Sequence, residues 1–159
     1  MSNRVAAKAT HISDASQLGH EITLLVRDHC LCLHVQRAAR ALARRFDEAF
    51  RRFDLTNGQF SLMMALNRPE PPTLGSVAAL LAMDRTTLTA ALKPLERRGF
   101  VKIAVDQEDR RSRRLSLTAA GRALLTKALP IWKATHAAID EELAPHALSE
   151  LRAALRVLA

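Results

Sequence analysis

"LAMDRTTLTAALKPLERRGFV", residues 81–101, carries its own start and stop signals. Asp84 suits the N-cap of a helix, where a side-chain oxygen accepts a free backbone N–H of the first turn. Leu88, Ala91, Leu92 and Leu95 then recur at helical spacing, and Gly99 stands where a C-terminal glycine ends such a helix. Upstream, Thr73 caps a shorter helix holding Leu74, Val77, Leu80 and Leu81. A tight turn at Ala82 and Met83 joins the two. Two short helices linked so briefly, with apolar residues at matching positions, read as a helix-turn-helix. Pro94 departs from simple helix physics, since it removes a hydrogen bond and clashes with the preceding turn at about 3 kcal/mol. A kink or a tightened turn before Gly99 is expected, with the N-terminal turn intact.

Moving outward, residues 100–105 read as a strand and 115–117 as its antiparallel partner. Arg110, Arg111, Arg113 and Arg114 crowd the connection between them. Like charges so close repel, so the cluster is either a solvated turn or a site for something negative. Thr118 then caps a long helix with Ala120, Leu124, Ala128, Ile131, Thr135, Ile139 and Leu143 on one face. "APHA" (144–147) breaks it, and Leu148, Leu151, Leu155 and Leu158 mark a last amphipathic helix. On the other side, residues 1–20 show no clear period and read as an arm. From Leu31 an apolar stripe runs through Val35, Ala38, Leu42, Phe46, Ala49 and Phe53, with Arg37, Arg40, Arg44, Arg45, Arg51 and Arg52 mostly off it. "DLTNGQF" (54–60) interrupts the stripe. Asn57 and Gly58 read as the break, and Thr56 caps a helix that runs to about Asn67. "RPEPPT" (68–73) is a short rigid linker. The chain is mainly α with one small β-hairpin.

The 159 residues are 48% hydrophobic, enough for one domain with a sizeable core. The first twenty carry Arg4, Lys8, His11, Asp14 and His20 and lack the apolar segment of a signal peptide. No apolar run is long enough to span a bilayer. A cytoplasmic protein with no membrane partner is expected. Of the net charge of +8, an excess of five lies in residues 85–114, where nine basic residues face four acidic ones. Such a concentrated positive field attracts polyanions, nucleic acid first among them.

A recognition helix offers short polar side chains at the end that enters the major groove. Arg85, Thr86, Thr87 and Thr89 occupy that turn, with Lys93 one turn later. Arginine reaches guanine bidentately, and threonine meets a thymine methyl or a phosphate. Lys93 suits the backbone. A hairpin beside a helix-turn-helix is a wing, whose tip can lie along the minor groove, where negative potential favours a guanidinium. Asp109 stands two residues before Arg111, close enough to orient it by a salt bridge. Arg110 and Arg113 fall to phosphates, and all four arginines await anions.

The quoted stretch, followed by "DRRSRRLSLTAAG" (109–121), resembles the MarR family of winged-helix transcription regulators. The resemblance covers roughly residues 31–143, and its D-R-R…L-x-L-T-x-x-G wing signature is specific to that family. It implies a winged helix-turn-helix over 55–118 and a homodimer built on helices in 21–54 and 119–159. Two winged domains would then address the halves of a pseudo-palindrome in double-stranded DNA. It also implies that Arg111, held by Asp109, enters the minor groove. Small phenolic or aromatic effectors, or oxidation, commonly release the DNA in this family.

Other motifs carry blander readings. In "HCLCLH" (29–34), Cys30 and His34 share a helical face at i, i+4, but two ligands do not make a metal site, and packing is favoured. An i, i+2 pair on a helix points to different faces, so a bond between Cys30 and Cys32 is geometrically poor. Cys32 resembles the reactive cysteine of the hydroperoxide-sensing branch of the family. That branch supports its sulfur with tyrosines, and this chain has none. Trp132 and His136 read as core or dimer packing rather than a ligand pocket. No catalytic triad, phosphate loop or metal motif appears, so no enzyme and no cofactor are expected.

Overall fold

The computed structural model describes residues 18–144 and 148–158, which leaves most of the expected arm outside it. The chain divides into two compact units, Met1–Ala39 and Arg40–Ala159. In the first, α1 (His20–His29) buries none of its residues and ends at Cys30, whose backbone is extended (φ −74°, ψ 102°). Cys30 therefore lies at a junction rather than inside a helix, contrary to the helical spacing assumed for both its cysteine and its histidine neighbours. From there α2 (Leu31–Phe50) runs through the unit boundary.

In the second unit, α2 gives way to a 3-10 turn (Arg51–Phe53) and then to Asp54, which adopts a left-handed conformation at φ 49°. The break thus falls at Asp54. Asn57 and Gly58 instead begin α3 (Asn57–Ala65), because Thr56 and Gln59 form a reciprocal capping box ahead of them. Next come α4 (Leu74–Leu80), capped by Thr73, and α5 (Arg85–Arg97), capped by Asp84. Ala82, at φ 49°, makes the sharp turn between them, and Gly99 closes α5 at φ 72°. The α5 helix runs on through Pro94 without ending there.

Leu88, Leu92 and Leu95 of α5 are fully buried with Val77, Phe50, Met63 and Leu115. Burial of each such leucine contributes about 2 kcal/mol before entropy is counted. Leu80 departs from expectation: it is 57% exposed, because α4 turns Val77 and Ala78 inward and leaves Leu80 on the rim.

Strands β1 (Val101–Val105) and β2 (Arg113–Leu117) pair antiparallel, with Val101 opposite Leu117 and Ile103 opposite Leu115. The period of two turns Val101, Leu115 and Leu117 into the core. A single bridge from Thr73 to Arg114, with Leu115 N donating to Pro72 O at 2.9 Å, ties the hairpin to the proline linker.

Thr118 caps α6 (Ala119–Glu142) and donates its hydroxyl to Gly99 O at 2.6 Å. Gly121 is required by this close approach: a Cβ there would overlap the Phe100 carbonyl. The buried face of α6 comprises Gly121, Leu125, Ala128 and Ile139, so the stripe expected to start at Ala120 lies one residue further on at the helix's first turns. The expected break at 145–147 lies outside the described residues. Beyond it α7 (Leu148–Val157) buries none of its residues.

Candidate nucleic-acid interface

Asp84 builds the first turn of α5. Its carboxylate accepts from the Thr87 N–H at 2.8 Å and from the Thr87 hydroxyl at 2.5 Å. The Thr87 hydroxyl and N–H hold the Asp84 carboxyl below the usual carboxylate range. The Thr89 hydroxyl donates back to Arg85 O at 2.7 Å. Arg85, Thr86, Thr87, Thr89 and Lys93 are all exposed, while Leu88 and Leu92 between them are buried. One helix thus anchors a polar face on an apolar one.

The arginine cluster of the hairpin separates into distinct roles. Arg113 and Arg114 lie within β2, opposite Val105 and Ala104, because β2 begins two residues earlier than expected. Arg114 does not await an anion. Its Nε donates to Asp106 Oδ2 at 2.5 Å and its Nη1 to Pro71 O at 3.1 Å. Asp106 is buried, and its Oδ1 also accepts from the Glu108 N–H at 2.9 Å. The Glu108 N–H, then Arg114, hold the Asp106 carboxyl below the ordinary range against the opposing effect of burial. Arg113 Nη1 donates to the carbonyls of Arg110 and Ser112, both at 3.1 Å. Arg110 and Arg111, at the turn, are exposed and pair with no carboxylate among the described residues.

Asp109 orients Arg111 differently from the expected salt bridge. Its Oδ1 accepts the backbone N–H of Arg111 at 2.9 Å, and its carbonyl accepts from Ser112 N at 2.8 Å. The acid shapes the turn and leaves the guanidinium free of it. The Asp106–Arg114 pair was missed by sequence reasoning. The signal was an acid at the end of the first strand of a basic hairpin.

Away from the hairpin, Phe46, Phe50, Phe60, Trp132 and His136 form a closed circuit of neighbouring rings, with centroids 4.2–6.4 Å apart. Trp132 and His136 thus pack against aromatic neighbours. Trp132 also lines a cavity of about 280 Å³ with Phe60, Ser61, Met64 and Leu129. Cys32 is exposed, and its sulfur accepts from Gln36 Nε2 at 3.2 Å. His34 Nε2 lies 3.3 Å from Asp28 O rather than on a shared site with Cys30. Among the described residues, no three His, Cys, Asp or Glu side chains converge, and no helix is long and apolar enough to cross a membrane.

The MarR family profile matches residues 55–112, which contain α3 to the wing turn. The transcriptional regulator MosR of M. tuberculosis, solved in complex with DNA, is 35% identical. The similarity covers 82% of this chain and 93% of that one, with a TM-score of 0.72. The chain belongs to the MarR family. MarR membership accounts for the largely helical fold with its two-stranded hairpin, and MarR proteins are DNA-binding transcription regulators, not enzymes. Two curated relatives are similar to this MarR chain over shorter stretches. The regulator TtmR of Methylorubrum extorquens is 34% identical over 100 residues, and SarZ of Staphylococcus haemolyticus 29% over 91. These stretches are 63% and 57% of this chain, and the chain spans 51% and 62% of the lengths of those relatives.

Proposed function

We propose that the chain is a homodimeric, sequence-specific repressor that binds a pseudo-palindromic operator in the cytoplasm and is released by a small aromatic or phenolic ligand. The observation that carries this reading is the pairing of an exposed polar turn on α5 with a wing turn whose Arg110 and Arg111 meet no carboxylate among the described residues. Residues 55–118 form the DNA-binding segment. Thr86, Thr87 and Thr89 meet base edges in the major groove. Because the Thr87 and Thr89 hydroxyls donate within the protein, their methyl groups suit the thymine C5-methyl. Arg111, on the turn that Asp109 shapes, enters the minor groove. Arg110, Arg113 and Lys93 lie on phosphates.

Residues 21–54 and 119–159 supply the dimer. In support, α1 leaves Leu25 and Val26 about half exposed, and α7 leaves Leu151 and Leu155 at 47% and 41%. The cavity beside Trp132 is the place for an effector, with apolar walls and the Ser61 hydroxyl as a polar handle. Trp132 is the single tryptophan of the chain, so quenching of its fluorescence reads occupancy directly.

A second reading, oxidation of Cys32 as the releasing signal, draws on the exposure of that thiol. DNA binding measured before and after peroxide, with Cys32→Ser as control, separates the two. The deciding experiment is selection on randomised duplex DNA followed by a salt titration on the selected site. A pseudo-palindrome bound less tightly as salt rises supports the regulator. Weak binding without sequence preference favours a winged-helix module that meets an acidic protein partner.

A further inference from the structure

We infer that Arg85 clamps a DNA phosphate rather than reading a base, from a seat over the start of α4 at Gly75. This rests on the duplex-DNA reading above. Arg85 is the first residue of α5. Helical Cα–Cβ bonds tilt toward the N-terminus, so a side chain at this position leaves the helix backward, toward the segment before it. Its guanidinium lies over the first turn of α4. A Cβ built on Gly75 would stand 3.4 Å from Arg85 Nη2 and 4.0 Å from its Cζ, with Thr73 Oγ1 at 3.9 Å. The seat leaves ordinary van der Waals room for a Cβ at 75, so a branched side chain is the first that would crowd it.

The seat restrains the cation without neutralising it. Arg85 donates to no acceptor among the described residues, whereas Arg98 and Arg114 are both consumed by protein carbonyls and carboxylates. In a helix-turn-helix the first helix crosses the sugar–phosphate backbone while the start of the second reaches base edges. A guanidinium laid against the first helix therefore sits on the backbone side. Its planar donors match two phosphate oxygens. Base discrimination then falls to the threonines.

The test uses full-length protein and the selected operator, together with a panel of its single-base variants. Arg85→Ala should weaken binding to every sequence by one common, several-fold factor. It should also lower the slope of log affinity against log salt by about 0.9, the value for one phosphate contact. Gly75→Ala makes only ordinary contact with the guanidinium and should bind like wild type. Gly75→Val fills the seat and should reproduce the Arg85→Ala loss, yet add nothing in an Arg85→Ala background. Circular dichroism confirms that each variant is folded. Relaxed discrimination at one base pair on Arg85→Ala, or an additive Gly75→Val effect, overturns the clamp while leaving the regulator reading intact. Failure of the wild-type protein to bind any sequence specifically overturns both.

Discussion

Arg111 owes its position to a neighbour that never touches its charge. Asp109 takes the Arg111 backbone N–H, which fixes the turn and leaves the guanidinium exposed. Arg111→Ala should therefore lower operator affinity about 10- to 100-fold, a loss of about 1–3 kcal/mol, with the protein still folded. Fluorescence anisotropy on a labelled operator measures it, and unchanged affinity would remove the wing from the interface. Asp106 plays the opposite part, since its buried charge ties the half-exposed Arg114 guanidinium to the protein. Its folded-state pKa lies below the unfolded value of about 3.9. The ionised clasp therefore contributes stability above that pH and loses it as pH falls through the depressed value. Asp106→Asn should melt below wild type at neutral pH, and the gap should close in acid as the pH falls through the depressed value. A gap that persists there would assign the loss to packing. Sequence spacing displayed four equivalent arginines because a cluster does not state its own hydrogen-bond partners. The partners follow from strand register, and β2 starts at Arg113.

Helices and strands were more legible than their contacts. Thr56, Thr73, Asp84 and Thr118 all act as the N-caps their residue types suggest, since capping is decided within four residues. The break after α2 was less legible. Asn57 and Gly58 resemble a turn, but Asp54 supplies the left-handed residue, and what holds it is distant in sequence. Arg98 donates to Asp54 O at 2.6 Å and Phe53 O at 3.3 Å, and its guanidinium lies 4.9 Å above the Phe100 ring. It joins the end of α5 to the end of α2. Arg98→Ala leaves two carbonyls without their charged donor and should cost about 2 kcal/mol, seen as a melting point about 4–8 °C lower. The wing signature contains a second such contact. Its last glycine, Gly121, is the place where α6 meets the Phe100 carbonyl. Gly121→Ala gains helix propensity yet should destabilise by about 1–3 kcal/mol through overlap with backbone that cannot move aside. A variant as stable as wild type by chemical denaturation would show that α6 shifts freely.

A basic chain that binds one half-site weakly gains affinity and specificity when two copies are linked, because the second contact becomes intramolecular. The helices outside residues 55–118 are the ones available to link them. Neither α1 nor α7 buries a residue, although each is amphipathic, and their apolar side chains need a partner that the other described residues do not supply. The double substitution Leu151→Glu and Leu155→Glu places two like charges on the apolar face of α7, one turn apart. Both positions are exposed, so the core around Leu88 and Phe50 is untouched and each chain should fold as before. Wild-type protein should sediment as a dimer and the double variant as a monomer. Operator binding should fall much further than the loss of one contact explains, while half-site DNA is bound equally by both. A variant that remains dimeric would move the interface off α7. A monomer that keeps full operator affinity would show that two recognition helices need no fixed separation, and the pseudo-palindromic reading would fall with it.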